Sequence, residues 1–172
     1  MSDKKKMKTD PAVLALLASP KEDEVLEVLL RLREIGNPLY LPRLLDMLLE
    51  APSPQVSGAI LTMLGEAKFR ETARYLAEAI SEERFFPVRK QLLACCWQNG
   101  LDYSPWFPLL VQLTVHSPFE TAFEAFTIIE NMNPLPPVEI RNEAIALLTD
   151  ALPASQGNQN YLIRELLSIL TG

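Results

Sequence analysis

The stretch Phe86–Val115 reads FPVRKQLLACCWQNGLDYSPWFPLLVQLTV, and its reading decides the fold. An apolar helical run through Leu92, Leu93 and Cys95 breaks at Asn99-Gly100, and a second run follows, opened by proline and aromatic residues. One helix, a tight turn and a second helix form a pair with an apolar face on each arm. Such a pair cannot bury both faces alone, so units of its own kind must stack on either side to complete a core.

Weaker copies flank it. Pro20, Pro54, Pro87 and Pro118 each open an apolar-periodic segment, and Ser19, Ser53 and Ser117 precede three of them. A serine at the N-cap accepts a bond from an unpaired helix amide, and proline at the first helical position lacks only an N–H that had no partner. The intervals of 34, 33 and 31 residues suit a helix–turn–helix repeat. Registering on Val25, Val56, Val88 and Thr121 brings together Leu29, Ile60, Leu92 and Ala125. It also aligns Leu30, Leu61, Leu93 and Phe126, and then Leu32, Met63, Cys95 and Ile128. These columns have the period of helices buried along one stripe and are the predicted core.

The second arms align as well. Tyr40-Leu41-Pro42 matches Trp106-Phe107-Pro108 at an offset of 66, twice 33, with a weaker copy at Thr72–Leu76. A fourth unit has a longer connection, NPLPP at Asn133–Pro137, before IRNEAIALLTDAL. A polar loop, ASQGNQN, then precedes a closing helix, YLIRELLSIL. At the other end Pro11 opens AVLALLA, a lid for the first pair, after a polar, basic tail. The predicted organisation is a flexible tail over 1–9 and one helical-repeat domain over 10–172.

This pattern resembles the HEAT repeat family, in particular its short bacterial forms. The resemblance is carried by Pro54-Gln55-Val56, Pro87-Val88-Arg89-Lys90, Leu41-Pro42 and Phe107-Pro108, and it covers roughly Pro20 to Leu152. The first unit departs from it in lacking a basic residue after Val25, and the fourth is irregular. The resemblance implies an all-α fold: a right-handed superhelix, or solenoid, of about four helical pairs with short capping helices. It also implies that the second helices line a concave face, and that the chain is a non-enzymatic scaffold or adaptor.

Composition agrees with a soluble, cytoplasmic protein. Hydrophobic residues make up 48% and charged residues 22% of 172. The 16 Lys and Arg against 22 Asp and Glu leave a formal charge of -6, which opposes nucleic-acid binding through phosphate neutralisation. Cys95 and Cys96 are adjacent, about 100° apart on a helix, and suit neither a disulfide nor a chelating pair. Free thiols favour a reducing compartment. The N-terminus imitates a secretion signal, but Asp10 and Pro11 separate its basic and apolar parts. The longest uncharged run, Tyr103–Phe119, is interrupted by Pro105, Pro108 and Pro118 and does not read as a membrane span.

Nothing in the chain reads as a cofactor or metal site: there is no Gly-rich phosphate loop, HExxH or CxxC. His116 and Cys96 could be proposed as base and nucleophile, but a thiol inside an apolar helix is inert packing. Phe119, Phe123 and Phe126, spaced i, i+4, i+7, read as the buried face of their helix. On the second helices Asp46, Glu78 and Gln112 share one position, and Glu50, Glu82 and His116 share another one turn on. The four carboxylates are predicted to form an acidic ladder that binds a protein or basic peptide segment. Tyr75, beside it, is a candidate anchor. Trp97 and Trp106 flank the turn of the third pair and mark an alternative groove edge. Among HEAT-like enzymes, a class of DNA glycosylases is the alternative, since Trp97, Asp102 and Trp106 resemble its aromatic and acidic set; net acidity opposes it. HEAT-like bilin lyases share only the architecture.

Overall fold

A computed structural model describes residues 7–50 and 52–172, so six of the nine residues of the expected tail lie outside it. The described chain is all-helical. Its elements are α1 (Pro11–Leu17), α2 (Glu22–Ile35), α3 (Leu41–Leu49), α4 (Pro54–Gly65), α5 (Glu71–Ser81), α6 (Arg89–Asn99), α7 (Phe107–His116), α8 (Phe119–Glu130), α9 (Val138–Ala151) and α10 (Gly157–Thr171). No described helix is long and apolar enough to cross a membrane.

The first helices pack in chain order: α2 on α4, α4 on α6, α6 on α8, and α8 on α10. Among second helices α3 packs on α5 and α7 on α9, while α3, α5 and α7 also contact the first helix that follows them. The predicted column Leu29, Ile60, Leu92 and Ala125 runs through this stack, each member no more than 1% exposed. Burying each large side chain of that kind contributes about 1.5–3 kcal/mol. The neighbouring column behaves differently. Leu93 and Phe126 are buried and Leu61 is half-buried, but Leu30 is 62% exposed. Its helix stands at the end of the row, where only the seven-residue α1 packs outside it.

Local signals account for several helix ends. Pro54 is the first residue of α4, and the Ser53 hydroxyl accepts from the Val56 N–H at 3.2 Å. The other three prolines stand just outside their helices. Pro20 precedes α2 by two residues, Pro87 lies in a 3-10 turn over Glu83–Val88, and Pro118 is the N-cap of α8. Tyr40 and Trp106 are the N-caps of α3 and α7, as their shared motif requires. Gly36 and Gly100 end α2 and α6 at φ of 65° and 64°, the left-handed conformation that a side chain disfavours. α1 is tied down by the Asp10 N–H, which donates to the Tyr40 hydroxyl at 2.7 Å.

Two further expectations are corrected. The segment ASQGNQN is not all loop: α10 begins at Gly157, four residues before Tyr161. Tertiary contacts overrule its polar composition. Gln159 donates to the carbonyls of Thr114 and Val115 at the end of α7, and Asn160 donates to the Ser155 hydroxyl. The aromatic stripe of α8 is not all core either. Phe126 is buried, but Phe119 and Phe123 are 40% and 47% exposed. They pack on each other, centroids 6.1 Å apart, on a face that neither α6, α7 nor α10 covers.

Candidate functional site

The packing of α3 on α5 does bring part of the predicted carboxylate set together. Arg84, in the turn before α6, donates from Nη1 to Asp46 at 2.8 Å and from Nε to Glu82 at 2.6 Å. Glu78 accepts from Arg74 at 3.1 Å, one helical turn away, and Glu50 accepts from Arg43. Four carboxylates thus face three guanidinium groups of the same chain, so the ladder is a charge-paired surface rather than a bare acidic one. Such exposed pairs contribute little to stability, but they weaken the field that would steer a basic partner. Tyr75 is half-buried beneath Arg74, whose guanidinium carbon lies 4.8 Å from the ring centroid. Gln112 and His116, both on α7, are exposed, and no hydrogen bond ties them to the α3–α5 set.

The other predicted edge holds a built groove. It lies between the turn that follows α6 and the loop that follows α8, with a volume of about 660 Å³. That is within the 300–1,000 Å³ usual for ligand sites. Trp97, Leu101, Ile128, Met132, Leu135 and Ile140 supply apolar wall, and Pro105, Pro134, Pro136 and Pro137 stiffen the rim. Asp102 is the one charged residue among the described lining. Trp106 lies outside it and packs instead on Tyr103, centroids 6.3 Å apart, so the two tryptophans do not stack on each other.

The groove's polar parts are positioned from below. Trp97 is 41% exposed, and its indole N–H donates to Glu124 of α8 at 2.7 Å, which fixes the ring between two helices. Asp102 accepts the Ser104 N–H at 2.9 Å. Hydrogen bonding from Ser104, side chain first and main chain second, holds the Asp102 carboxyl below the ordinary carboxylate range, with Arg70 adding at longer range. The carboxylate is therefore ionised at neutral pH.

A second groove, about 400 Å³, occupies the matching place one step from the chain's other end, where the turn after α2 meets the turn after α4. Its charges are mixed: Arg33, Glu34, Glu66 and Lys68 all line it. Arg33 crosses to Glu66 with two bonds of 2.8 Å, pairing these two charges within the chain.

Neither thiol is placed for chemistry. Cys95 and Cys96 are 3% and 1% exposed. Burial pushes the Cys95 thiol up to about 12 and the Cys96 thiol higher, so both stay protonated and unreactive. Cys95 donates to the Leu61 carbonyl at 3.4 Å, a core stitch between α6 and α4, as its column predicts. Among the described residues, no cluster of three His, Cys, Asp or Glu could hold a metal ion.

Sequence reasoning named Trp97 and Asp102 but missed the opposite wall, Met132, Leu135 and Ile140. The available signal was the composition of the NPLPP connection, whose three prolines stiffen a turn no longer than the 100–106 turn it faces. Comparison with protein-family models finds no match, and a search of curated proteins finds no relative.

Proposed function

We propose that this chain is a non-enzymatic protein-interaction module, a short right-handed α-solenoid of HEAT-like helical pairs that holds a partner at the edge between its third and fourth units. The in-order packing of first helices supports the solenoid reading. The observation that carries the functional reading is the groove beside Trp97: apolar walls, rigid rim, one fixed carboxylate, and no reactive group near it. Binding sites of that make-up select by shape and a few polar contacts. Two free, buried thiols fit a cytoplasmic setting. The charge-paired face of α3 and α5 is the weaker candidate, since its carboxylates already have partners. The glycosylase-like alternative draws on Trp97 and Asp102, which share the groove. A described lining with no cation is unsuited to a phosphate backbone.

The test is affinity capture on the full chain with three baits: wild type, Ile140→Lys in the groove wall, and a triple reversal of Asp46, Glu78 and Glu82 to lysine. A protein held stoichiometrically by wild type and by the triple reversal, and lost by a folded Ile140→Lys, supports this assignment. Loss with the triple reversal alone moves the site to the second-helix face. Nucleic acid as the only retained species would overturn the module reading.

A further inference from the structure

Resting on the interaction reading, the chemistry of the groove narrows its occupant. Its described lining has one charge, the Asp102 carboxylate, which makes no salt bridge among the described residues and which Arg70, outside the lining, reaches only at longer range. The second groove holds a bidentate Arg33–Glu66 pair, so the two differ in that one carboxylate is ion-paired and the other is not. Ser104 occupies one Asp102 oxygen and orients the group. In the same lining the indole of Trp97 presents a ring held at its N–H edge by Glu124, a carboxylate that Lys90 also faces. An aromatic face that shares a groove with a carboxylate attracts an ammonium or guanidinium group and repels an anion. The remaining wall, from Ile128 and Met132 to Leu135 and Ile140, offers apolar contact only.

We propose that this groove takes an extended segment of a partner protein in which a lysine or arginine sits among apolar residues. The cation lies between the Trp97 ring and Asp102, and the flanking apolar side chains cover Met132, Leu135 and Ile140. A segment, and not a small free amine, fits because the trough is open at the surface between two loops and its lining is apolar apart from the carboxylate and a few neutral polar groups. Acidic and phosphorylated segments are excluded by the same charge.

The probe is a positional-scanning library of acetylated, amidated hexapeptides against the full chain. Binding is read by the indole N–H resonance of Trp97, assigned by its loss in Trp97→Phe. The expected result is enrichment of lysine or arginine at one position and of apolar residues beside it. The best lysine peptide should bind at least about tenfold tighter than its glutamine twin. Asp102→Asn should remove that preference and leave the weaker apolar binding, while Leu135→Ala should weaken both twins alike. Unchanged melting temperatures keep the variants comparable. Enrichment of acidic residues, no enrichment at all, or binding that leaves the Trp97 resonance in place would overturn the proposal. So would tighter binding of a single-stranded oligonucleotide at the same resonance. If the library fails while a partner is captured and lost through the Asp46, Glu78 and Glu82 reversal, this proposal falls and the module reading survives.

Discussion

The junction between the second and third helical pairs and the junction that follows it use the same positions in opposite ways. Where α6 meets α4, Asn99 is buried. Its amide donates to the Leu64 carbonyl at 3.1 Å and to the Tyr103 hydroxyl at 3.0 Å, and its oxygen accepts the Leu101 N–H at 3.0 Å. Gln98 lies over Gly65, close enough that an added Cβ would sit 2.6 Å from its Oε1. Where α8 meets α6, the residues one repeat on are Asn131 and Met132. Asn131 folds back to the Thr127 carbonyl of its own helix at 2.8 Å, and Met132 has no amide to reach across. The first junction is stitched shut; the second opens into the groove. A single polar column, sealed by amides in one unit and released in the next, sets where the surface has room for a ligand.

The largest expected effect tests the stitch. Asn99→Ala strands buried partners on α4, on the turn and on Tyr103, and should cost about 2–4 kcal/mol in urea unfolding. A loss under about 1 kcal/mol would mean the sealed junction is held by apolar packing alone.

The thiols beside that junction give a pH-dependent measure of the same core. Their folded values are raised by burial, to about 12 for Cys95. Their stabilising contribution is complete below the ordinary thiol value, near pH 8.5, and is lost as pH rises toward the folded value. In that window the unfolded chain gives up protons the folded chain keeps. Stability should fall by up to about 1.4 kcal/mol per pH unit for each thiol. A Cys95→Ala, Cys96→Ala double variant should show a shallower decline between pH 9 and 11, and an equal slope would show that the thiols are solvated.

Gly36 tests the turn at the far groove. Its φ of 65° opposes a side chain, and so does the Phe69 ring, 2.5 Å from the place a Cβ would take. Gly36→Ala should cost about 1–2 kcal/mol by thermal unfolding. Gly100 has nearly the same φ with open space around it, so Gly100→Ala should show the backbone cost without the clash. Smallest of all, Asn131→Ala removes an exposed bond within one helix and should change stability by less than about 0.5 kcal/mol. A large effect there would erase the contrast with Asn99.

Much of the fold was legible because its signals are local. Proline, serine and glycine at helix ends act through the backbone within a turn, and the column Leu29, Ile60, Leu92 and Ala125 is a periodicity any helix must bury. The misread elements depend on what lies opposite. Phe119 and Phe123 have core spacing but no helix to cover them, and Gly157–Asn160 has loop composition but carbonyls of α7 to cap. Arg84 shows the same limit for the candidate site: aligned carboxylates could be counted along the chain, but the guanidinium that joins Asp46 to Glu82 comes from a turn outside the repeat.

By itself the sequence determined ten helix-forming segments, their order, the central buried column of the four first helices, and a net acidity that opposes phosphate binding. Tertiary structure alone decided which charges are met and which stripe is covered. It also decided that Asn99 closes one junction while Met132 leaves the next open. The physical reason is that helix formation is settled within a few residues, whereas a groove is the space left when two helices and two turns far apart in sequence come to rest against each other.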